Sequence, residues 1–190
     1  ARISIAIQGV ANTSDGSIAW SPAFEARDIP VTHPLSQLLG IPCVIANNAN
    51  RIADGLLAED RSKYGNTTAV VFLGHGVGLG LILDGKVFEG ASGRASELGH
   101  MNHDPAGPLC RCGMRGCLAA YSADYGIYRL AHPAANADIG VRKPVPSGMM
   151  EELQRSAEAG EPHALAAYQR AGEVLGFGLS RLIALINPRL

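Results

Sequence analysis

Three cysteines and two histidines stand close together in one short segment of the sequence. Cys110, Cys112 and Cys117 fall within eight residues, and His100 and His103 precede them. Thiolate and imidazole are the ligands that Zn²⁺ prefers, and four protein ligands leave no coordination position open for water. The segment therefore predicts a structural zinc site, and its spacing alone leaves open whether His100 or His103 is the fourth ligand.

The residues around the cysteines permit the sharp turns that such a site needs. Gly113 and Gly116 lie between Cys112 and Cys117, and glycine adopts backbone conformations closed to other residues. The alternative is three reduced cysteines packed without a metal, but unligated thiols rarely cluster in glycine-rich loops. Cys43 stands apart, so the four cysteines do not resemble a disulfide framework; they favour a reducing compartment, and we expect the cytoplasm.

The composition indicates a chain with a hydrophobic core and no general affinity for polyanions. The 190 residues are 47% hydrophobic and 17% charged, with a formal net charge of −1. No run of Lys or Arg exceeds two residues, so any contact with DNA is expected through a domain outside this chain. No stretch of 18 apolar residues occurs, and no membrane span is expected.

Hydrophobic periodicity predicts an α/β fold that positions these residues. Apolar runs predict strands at 3–9, 42–47, 67–74 and 77–85, and helical spacing predicts helices at 48–63, 117–130, 148–159 and 163–187. The prolines of 133–147 predict a loop. The last helix is expected to bury an apolar face of Leu165, Tyr168, Leu175, Leu179, Leu182, Ile183 and Ile186.

The cysteine segment also resembles a family signature. Glu97-Leu-Gly-His100, then nine residues, then Cys110-x-Cys112-Gly-x-x-Gly-Cys117-Leu is similar to the signature of the ROK family (repressor, open reading frame, kinase). That family holds bacterial sugar kinases and sugar-responsive repressors. The resemblance implies a ribonuclease-H-like, actin-like fold of two lobes that close on a sugar. It also implies that residues 1–190 are a single sugar-binding region, a fragment without the N-terminal phosphate loop and the C-terminal adenosine segment.

The same resemblance assigns roles to individual residues. It selects His100 over His103 as the zinc ligand, and it makes Glu97 and His100 contacts for sugar hydroxyls. Asn47 and Asn48 fall where the family has a sugar-contacting Asn-Asp pair. Asn47 has a second credible role, as the cap of the helix that starts near residue 48. The resemblance further implies a homodimer or homotetramer.

Several positions depart from what a sugar kinase of this family needs. The resemblance places the catalytic base at Asn48, and an amide cannot accept a proton from the attacking hydroxyl at neutral pH. Ala119 replaces a sugar-contacting glutamate, and Ala23 lies near another sugar-contacting position. His75 replaces the small hydroxyl residue of a glycine-rich phosphate loop, so ATP is not expected as a cofactor.

Three functions are compatible with this pattern. The first is the sugar-sensing effector region of a ROK-type transcriptional regulator, zinc-stabilised, with no catalytic residue. The second is a hexose or N-acetylhexosamine kinase, which would need a different base, since Asp54 and Glu59 are not at the required position. The third is a zinc-stabilised interaction module that binds neither sugar nor ATP, favoured by Ala23 and Ala119.

Overall fold

The structure is a computed structural model, and it describes residues 1–94, 96–134, 139 and 143–188. Among the described residues there are eight strands: β1 Ile3–Ile7, β2 Val10–Asn12, β3 Ser17–Trp20, β4 Ile29–Pro30, β5 Cys43–Asn47, β6 Thr68–Leu73, β7 Val77–Leu83 and β8 Lys86–Val87. The same part of the chain contains seven helices: α1 Thr32–Leu39, α2 Asn48–Glu59, α3 Arg61–Tyr64, α4 Ala119–Ser122, α5 Asp124–Ala131, α6 Met149–Glu158 and α7 Pro162–Ile186. A 3₁₀ turn, Leu98–His100, precedes the cysteine segment. The α/β class is thus confirmed.

The strands form three small sheets in the described part of the chain. β1 pairs with β5 in parallel, from Ile3 opposite Cys43 to Ile7 opposite Asn47. β2, β3 and β4 form an antiparallel sheet in that order. The third sheet has the order β6-β7-β8, and the connection between β6 and β7 is the glycine loop, which we define as residues 74–76.

The chain divides into two compact units. The first unit comprises Ala1–Val71 and Leu79–Glu97 together with Pro188, and the second comprises Phe72–Gly78 and Leu98–Asn187. In the first unit, Ala11, Ile18 and Ile45 form one buried cluster, and Ala53, Leu57 and Ile82 form another. The first cluster packs the β1-β5 sheet against the β2-β3-β4 sheet, and the second packs α2 against β7.

The second unit is mainly helical and closely packed. Ala131, Leu153, Ala164 and Ala167 form its core cluster, through which α5 and α6 pack against α7. The predicted face of α7 was wrong in detail. Its buried residues are Ala164, Ala167, Ala171, Val174, Gly178 and Leu182. Leu165 and Ile183 are exposed instead, at 47% and 39%.

Small residues form the buried face of α7 because its neighbours lie very near. A Cβ at Gly178 would overlap the side chain of Leu118. The buried Ser122 donates its hydroxyl to the carbonyl of Ala171, 2.8 Å away. This close packing fixes α4 and α5, which follow the cysteine segment directly.

The predicted loop at 133–147 falls partly outside the described residues, since 135–138 and 140–142 are not among them. In the described part of the chain, no helix combines the length and the apolar character needed to cross a membrane.

Candidate metal centre and sugar-site residues

The segment from Asn102 to Cys117 folds back on itself in a knuckle. Bridges between Asn102 and Cys117 and between Leu109 and Arg115 align its two arms. At its tip, the amide of Cys110 donates to the carbonyl of Met114 at 2.8 Å, and the amide of Gly113 donates to the carbonyl of Cys110 at 3.0 Å. These bonds form a tight turn that brings Cys110 and Cys112 to the same side.

Two glycines make this turn possible. Gly113 has φ of +92° and Gly116 has φ of +68°, in the left-handed region that residues with a Cβ seldom adopt. A Cβ at Gly116 would also overlap the carbonyl oxygen of Asp104. Gly116 therefore lets the second arm pass close to residue 104 and delivers Cys117 to the cluster.

The 3₁₀ turn Leu98–His100 brings the histidine to the cysteines from the other direction. Leu98 and Gly99 are buried, and a Cβ at Gly99 would overlap the carbonyl oxygen of Val77. The turn therefore lies directly against the start of β7. This contact fixes the point from which the His100 side chain extends.

The four donors form one compact cluster. The ligand atoms of His100, Cys110, Cys112 and Cys117 all lie within 4.8 Å of one another. Cys112 Sγ lies 3.7 Å from Cys117 Sγ, and Cys110 Sγ lies 3.6 Å from His100 Nδ1. Tetrahedral zinc, with Zn–S near 2.3 Å and Zn–N near 2.0 Å, would place two sulfurs about 3.8 Å apart and a sulfur and a nitrogen about 3.5 Å apart.

The donor set therefore fits a zinc ion in spacing as well as in chemistry. The cysteines are free thiols rather than disulfides. Cys110 and Cys117 are buried whereas Cys112 is exposed, so the cluster sits at the edge of the protein with one ligand toward solvent. When bound, zinc would join the two arms of the knuckle to the 3₁₀ turn as a closed, structural site.

The surroundings of the cluster favour the thiolate form of Cys110 and disfavour the thiolate forms of Cys112 and Cys117. Burial opposes ionisation of Cys110, but hydrogen bonds from His100, Tyr125 and the Cys112 amide outweigh it and lower its pKa to about 6. Burial and the charge on Cys110 raise the pKa of Cys117. Burial likewise raises the pKa of Cys112. A cation among the three sulfurs would favour ionisation of all three thiols.

The structure places His100, and not His103, beside the sulfurs. The His103 ring packs edge-on against Tyr121 and Phe177, at centroid distances of 5.5 and 5.2 Å. Its backbone amide donates to the carbonyl of Gly116 at 2.7 Å. His103 is therefore a packing residue that supports the knuckle from behind.

Sequence reasoning missed two residues that support the cluster. Tyr125 of α5 is 1% exposed, and its hydroxyl lies 3.4 Å from Cys110 Sγ. Arg129, one turn later, covers the Tyr125 ring at 5.0 Å and donates to the carbonyl of Leu109 at 2.9 Å. Neither residue belongs to a motif, and only the course of α5 brings them to the knuckle.

Asn47 and Asn48 lie at the junction of β5 and α2 in the first unit. Asn47 is the helix cap: its Oδ1 accepts from the Ala49 amide at 2.8 Å, and its Nδ2 donates to the Gly9 carbonyl at 2.8 Å. Asn48 Oδ1 accepts from the same amide at 3.0 Å. The capping role is thus present, and a sugar contact by Asn47 stays a prediction.

The other residues of interest are spread over both units. Glu97 is exposed and ends the Leu79–Glu97 segment of the first unit, directly before the 3₁₀ turn. Ala119 is buried at the start of α4, and Ala23 is exposed in the segment after β3. His75 is exposed in the glycine loop of the second unit, where its Nδ1 lies 3.1 Å from Asp124 Oδ2. The sugar set of Asn47, Asn48, Glu97 and His100 stays a prediction.

Comparison with known proteins assigns the chain to a family. The ROK family model matches residues 1–190. The chain belongs to the ROK family. A glucokinase of Streptomyces coelicolor is 28% identical over 194 residues, covering 98% of this chain and 61% of the relative. The xylose repressor of Bacillus subtilis is 27% identical over 187 residues, covering 98% of this chain and 46% of the relative.

A solved ROK structure supports the fold in three dimensions. The ROK hexokinase from Thermus thermophilus aligns with a TM-score of 0.76 and 31% identity, over 96% of this chain and 58% of that one. The chain therefore shares the fold of this ROK hexokinase over almost all of its length, as the ROK resemblance predicted. This chain spans only about half to three-fifths of the length of these proteins. Its ROK relatives include both kinases and repressors, so family membership alone leaves its role between the two.

Proposed function

We propose that this chain is the sugar-sensing region of a ROK-type transcriptional regulator, held together by a structural zinc and without kinase activity. The observation that carries the proposal is Asn48. It stands where the family resemblance places the catalytic base, and its amide oxygen is directed to the Ala49 backbone at the start of α2. An amide in this place has no means of accepting the proton of a sugar hydroxyl.

The glycine loop supports the same conclusion. A phosphate loop needs free space and backbone donors around a small residue. Here the loop carries the His75 side chain, paired with the carboxylate of Asp124. A bulky imidazole and a nearby negative charge would both oppose a bound triphosphate.

We propose His100, Cys110, Cys112 and Cys117 as the zinc ligands. Asn47, Asn48, Glu97 and His100 are the proposed sugar contacts. A carboxylate such as Glu97 can accept hydrogen bonds from two adjacent sugar hydroxyls. DNA would be bound by a domain outside this chain, and a homodimer or homotetramer is the proposed assembly.

A sugar kinase is the second candidate, favoured by the similarity to the glucokinase and hexokinase named above. A zinc-stabilised module that binds no sugar is the third. It is favoured by Ala119, because a buried alanine offers no group to a sugar hydroxyl.

The deciding experiment measures ADP release and thermal shift together on the full natural polypeptide. A panel of hexoses and N-acetylhexosamines is tested with ATP, on the unmodified protein and on the Asn48→Asp variant. We expect no ADP release from the unmodified protein and a rise in melting temperature with one sugar. Glu97→Gln, which keeps the size of the side chain but removes its charge, is expected to reduce that rise.

The alternatives give different results in the same assay. Sugar-dependent ADP release by the unmodified protein would establish the kinase and overturn the regulator. No thermal response to any sugar would favour the interaction module. We expect Asn48→Asp to stay inactive as well, because the glycine loop still carries the His75 imidazole beside the Asp124 carboxylate.

A further inference from the structure

The glycine loop is held by a hydrogen bond to each of its three carbonyls. Gly76 accepts from the amide of Gly74 at 3.1 Å, which closes the turn. Gly74 accepts from the amide of Asp124 at 2.9 Å. His75 accepts from the Arg111 guanidinium, also at 2.9 Å. Two of these three donors come from the knuckle and from α5, outside the loop itself.

Arg111 has a particular position in the knuckle. It lies between Cys110 and Cys112, two of the four clustered donors. Its guanidinium stacks over the ring of Tyr125 at 4.7 Å while it reaches the His75 carbonyl. The contact with the buried Tyr125 ring limits the directions that the Arg111 side chain can take.

The second connection runs through α5. The hydroxyl of Tyr125 lies 3.4 Å from Cys110 Sγ, and the preceding residue is Asp124. Asp124 contacts the loop twice, through its amide to Gly74 and through its carboxylate to the imidazole of His75. The cysteine cluster and the glycine loop are thus joined by two short routes, both within the second unit.

We propose that Arg111 is a positioning residue that couples occupancy of the cysteine cluster to the conformation of the glycine loop. Ligation of both flanking cysteines would fix the backbone on each side of Arg111 and so hold its guanidinium on the His75 carbonyl. With the cluster empty, the turn at 110–114, which is exposed at 112–114, is free to change, and the loop loses a charge-assisted hydrogen bond. The proposal rests on metal binding at the cluster, and it is independent of whether the protein is a regulator or a kinase.

The coupling extends the role of the metal beyond its own turn. The glycine loop connects β6 to β7, and the start of β7 supports the 3₁₀ turn of His100. The loop also matches the family's phosphate loop in sequence position. Metal binding would therefore set the shape of a segment that carries none of the ligands.

Hydrogen exchange followed by NMR can test the coupling on the zinc-loaded full chain. The informative amides are those of Gly74 and Asp124, which make the two backbone bonds at the loop. In Arg111→Ala, we expect both to exchange about tenfold faster, the equivalent of about 1.4 kcal/mol, because a bond to a charged donor is lost. The knuckle amides of Cys110 and Gly116 should keep their protection, and the zinc content should stay the same.

Two further variants sharpen the test. Arg115→Ala removes another knuckle arginine, whose guanidinium contacts the Gly107 carbonyl instead, and it should leave Gly74 and Asp124 unchanged. Arg111→Lys keeps a charged donor and should restore part of the protection. Removing zinc from the unmodified protein should accelerate both loop amides as Arg111→Ala does.

The outcomes separate this proposal from the metal assignment. Unchanged exchange at Gly74 and Asp124 in zinc-loaded Arg111→Ala would overturn the coupling. Loss of zinc and of knuckle protection in that variant would also overturn it, because Arg111 would then be part of the knuckle alone. If the unmodified protein binds no zinc at all, the metal site itself is refuted.

Discussion

At the scale of single residues, the two histidines before the cysteines have opposite environments. His100 presents Nδ1 to Cys110 Sγ at 3.6 Å, whereas His103 packs its ring against Tyr121 and Phe177. Spacing could not separate them, because both precede Cys110 by a loop long enough to reach the metal. The 3₁₀ turn distinguishes the two histidines, because it directs the His100 side chain toward the cysteines, whereas His103 lies after the turn, in the first arm of the knuckle.

This difference gives a prediction with a matched control. His100→Ala should lose bound zinc, because three thiolates alone leave the fourth position to water and the affinity falls. His103→Ala should keep the zinc and lose about 1 kcal/mol of stability from its two ring contacts. Metal analysis of the two purified variants measures the zinc, and chemical denaturation measures the stability. Zinc retained in His100→Ala and lost in His103→Ala would reverse the ligand assignment.

Asn47 is a motif residue whose side chain forms hydrogen bonds with the backbone. The sequence offered both a sugar contact and a helix cap, and the structure contains the cap together with a bond to Gly9. The cap was predictable because asparagine before an apolar helix is a known signal. The bond to Gly9 was not, since it depends on the parallel pairing of β1 with β5.

At the scale of elements, hydrophobic periodicity located the longer strands β1, β5, β6 and β7 and most of the helices, but it did not detect every helix break. The helix predicted over 48–63 is two helices, separated at Asp60. The Asp60 side chain accepts from the amides of Ser62 and Lys63 and caps a new turn. Hydrogen bonds from Ser62 and Lys63 also lower the pKa of Asp60. The apolar spacing continues across this cap, so periodicity alone could not detect it.

The face of α7 was missed for a related reason. Large apolar residues predicted the buried side, but close approach to α4 selected small ones such as Gly178. In a sequence pattern, a large apolar side chain indicates burial. In the folded protein, the distance between packed helices limits the size of the side chains that fit between them. That distance depends on tertiary structure.

The knuckle turn gives a prediction at this scale. Gly116→Ala should cost about 3 kcal/mol or more and abolish zinc binding, because the new Cβ meets both a positive φ and the Asp104 carbonyl. Gly113→Ala is the control, with a similar positive φ but open space around it. It should cost about 1–2 kcal/mol and keep the zinc. Thermal denaturation and metal analysis compare the two; equal losses would mean that backbone strain, and not the close contact, controls the turn.

At the scale of the whole molecule, the metal cluster belongs to one unit only. All four donors lie in the second unit, within Leu98–Asn187. The first unit has its own buried clusters around Ile45 and Ile82, which contain no cluster donor. The units should therefore differ in how far they depend on the metal.

Chelation should reveal this difference. Removing zinc is expected to increase hydrogen exchange through residues 98–125, because the cluster joins the 3₁₀ turn to both arms of the knuckle. Amides of Ile45 and Ile82 should change by less than about threefold. Peptide-level hydrogen exchange with and without chelator measures both. An equal increase in the two units would show that zinc stabilises the chain as a whole, and no increase in either would remove its structural role.

The glycines around the cluster have a consequence for how such a protein diverges. Gly99, Gly107 and Gly116 each lack room for even one methyl group, against Val77, Tyr121 and Asp104 respectively. The requirement for glycine at these positions comes from neighbouring atoms and does not depend on what the protein binds. A lineage could therefore exchange the side chains at 23, 48, 75 and 119, and with them its chemistry, while every one of these glycines stays in place. The spacing of these glycines then indicates shared ancestry, whereas the side chains at 23, 48, 75 and 119 indicate the present function.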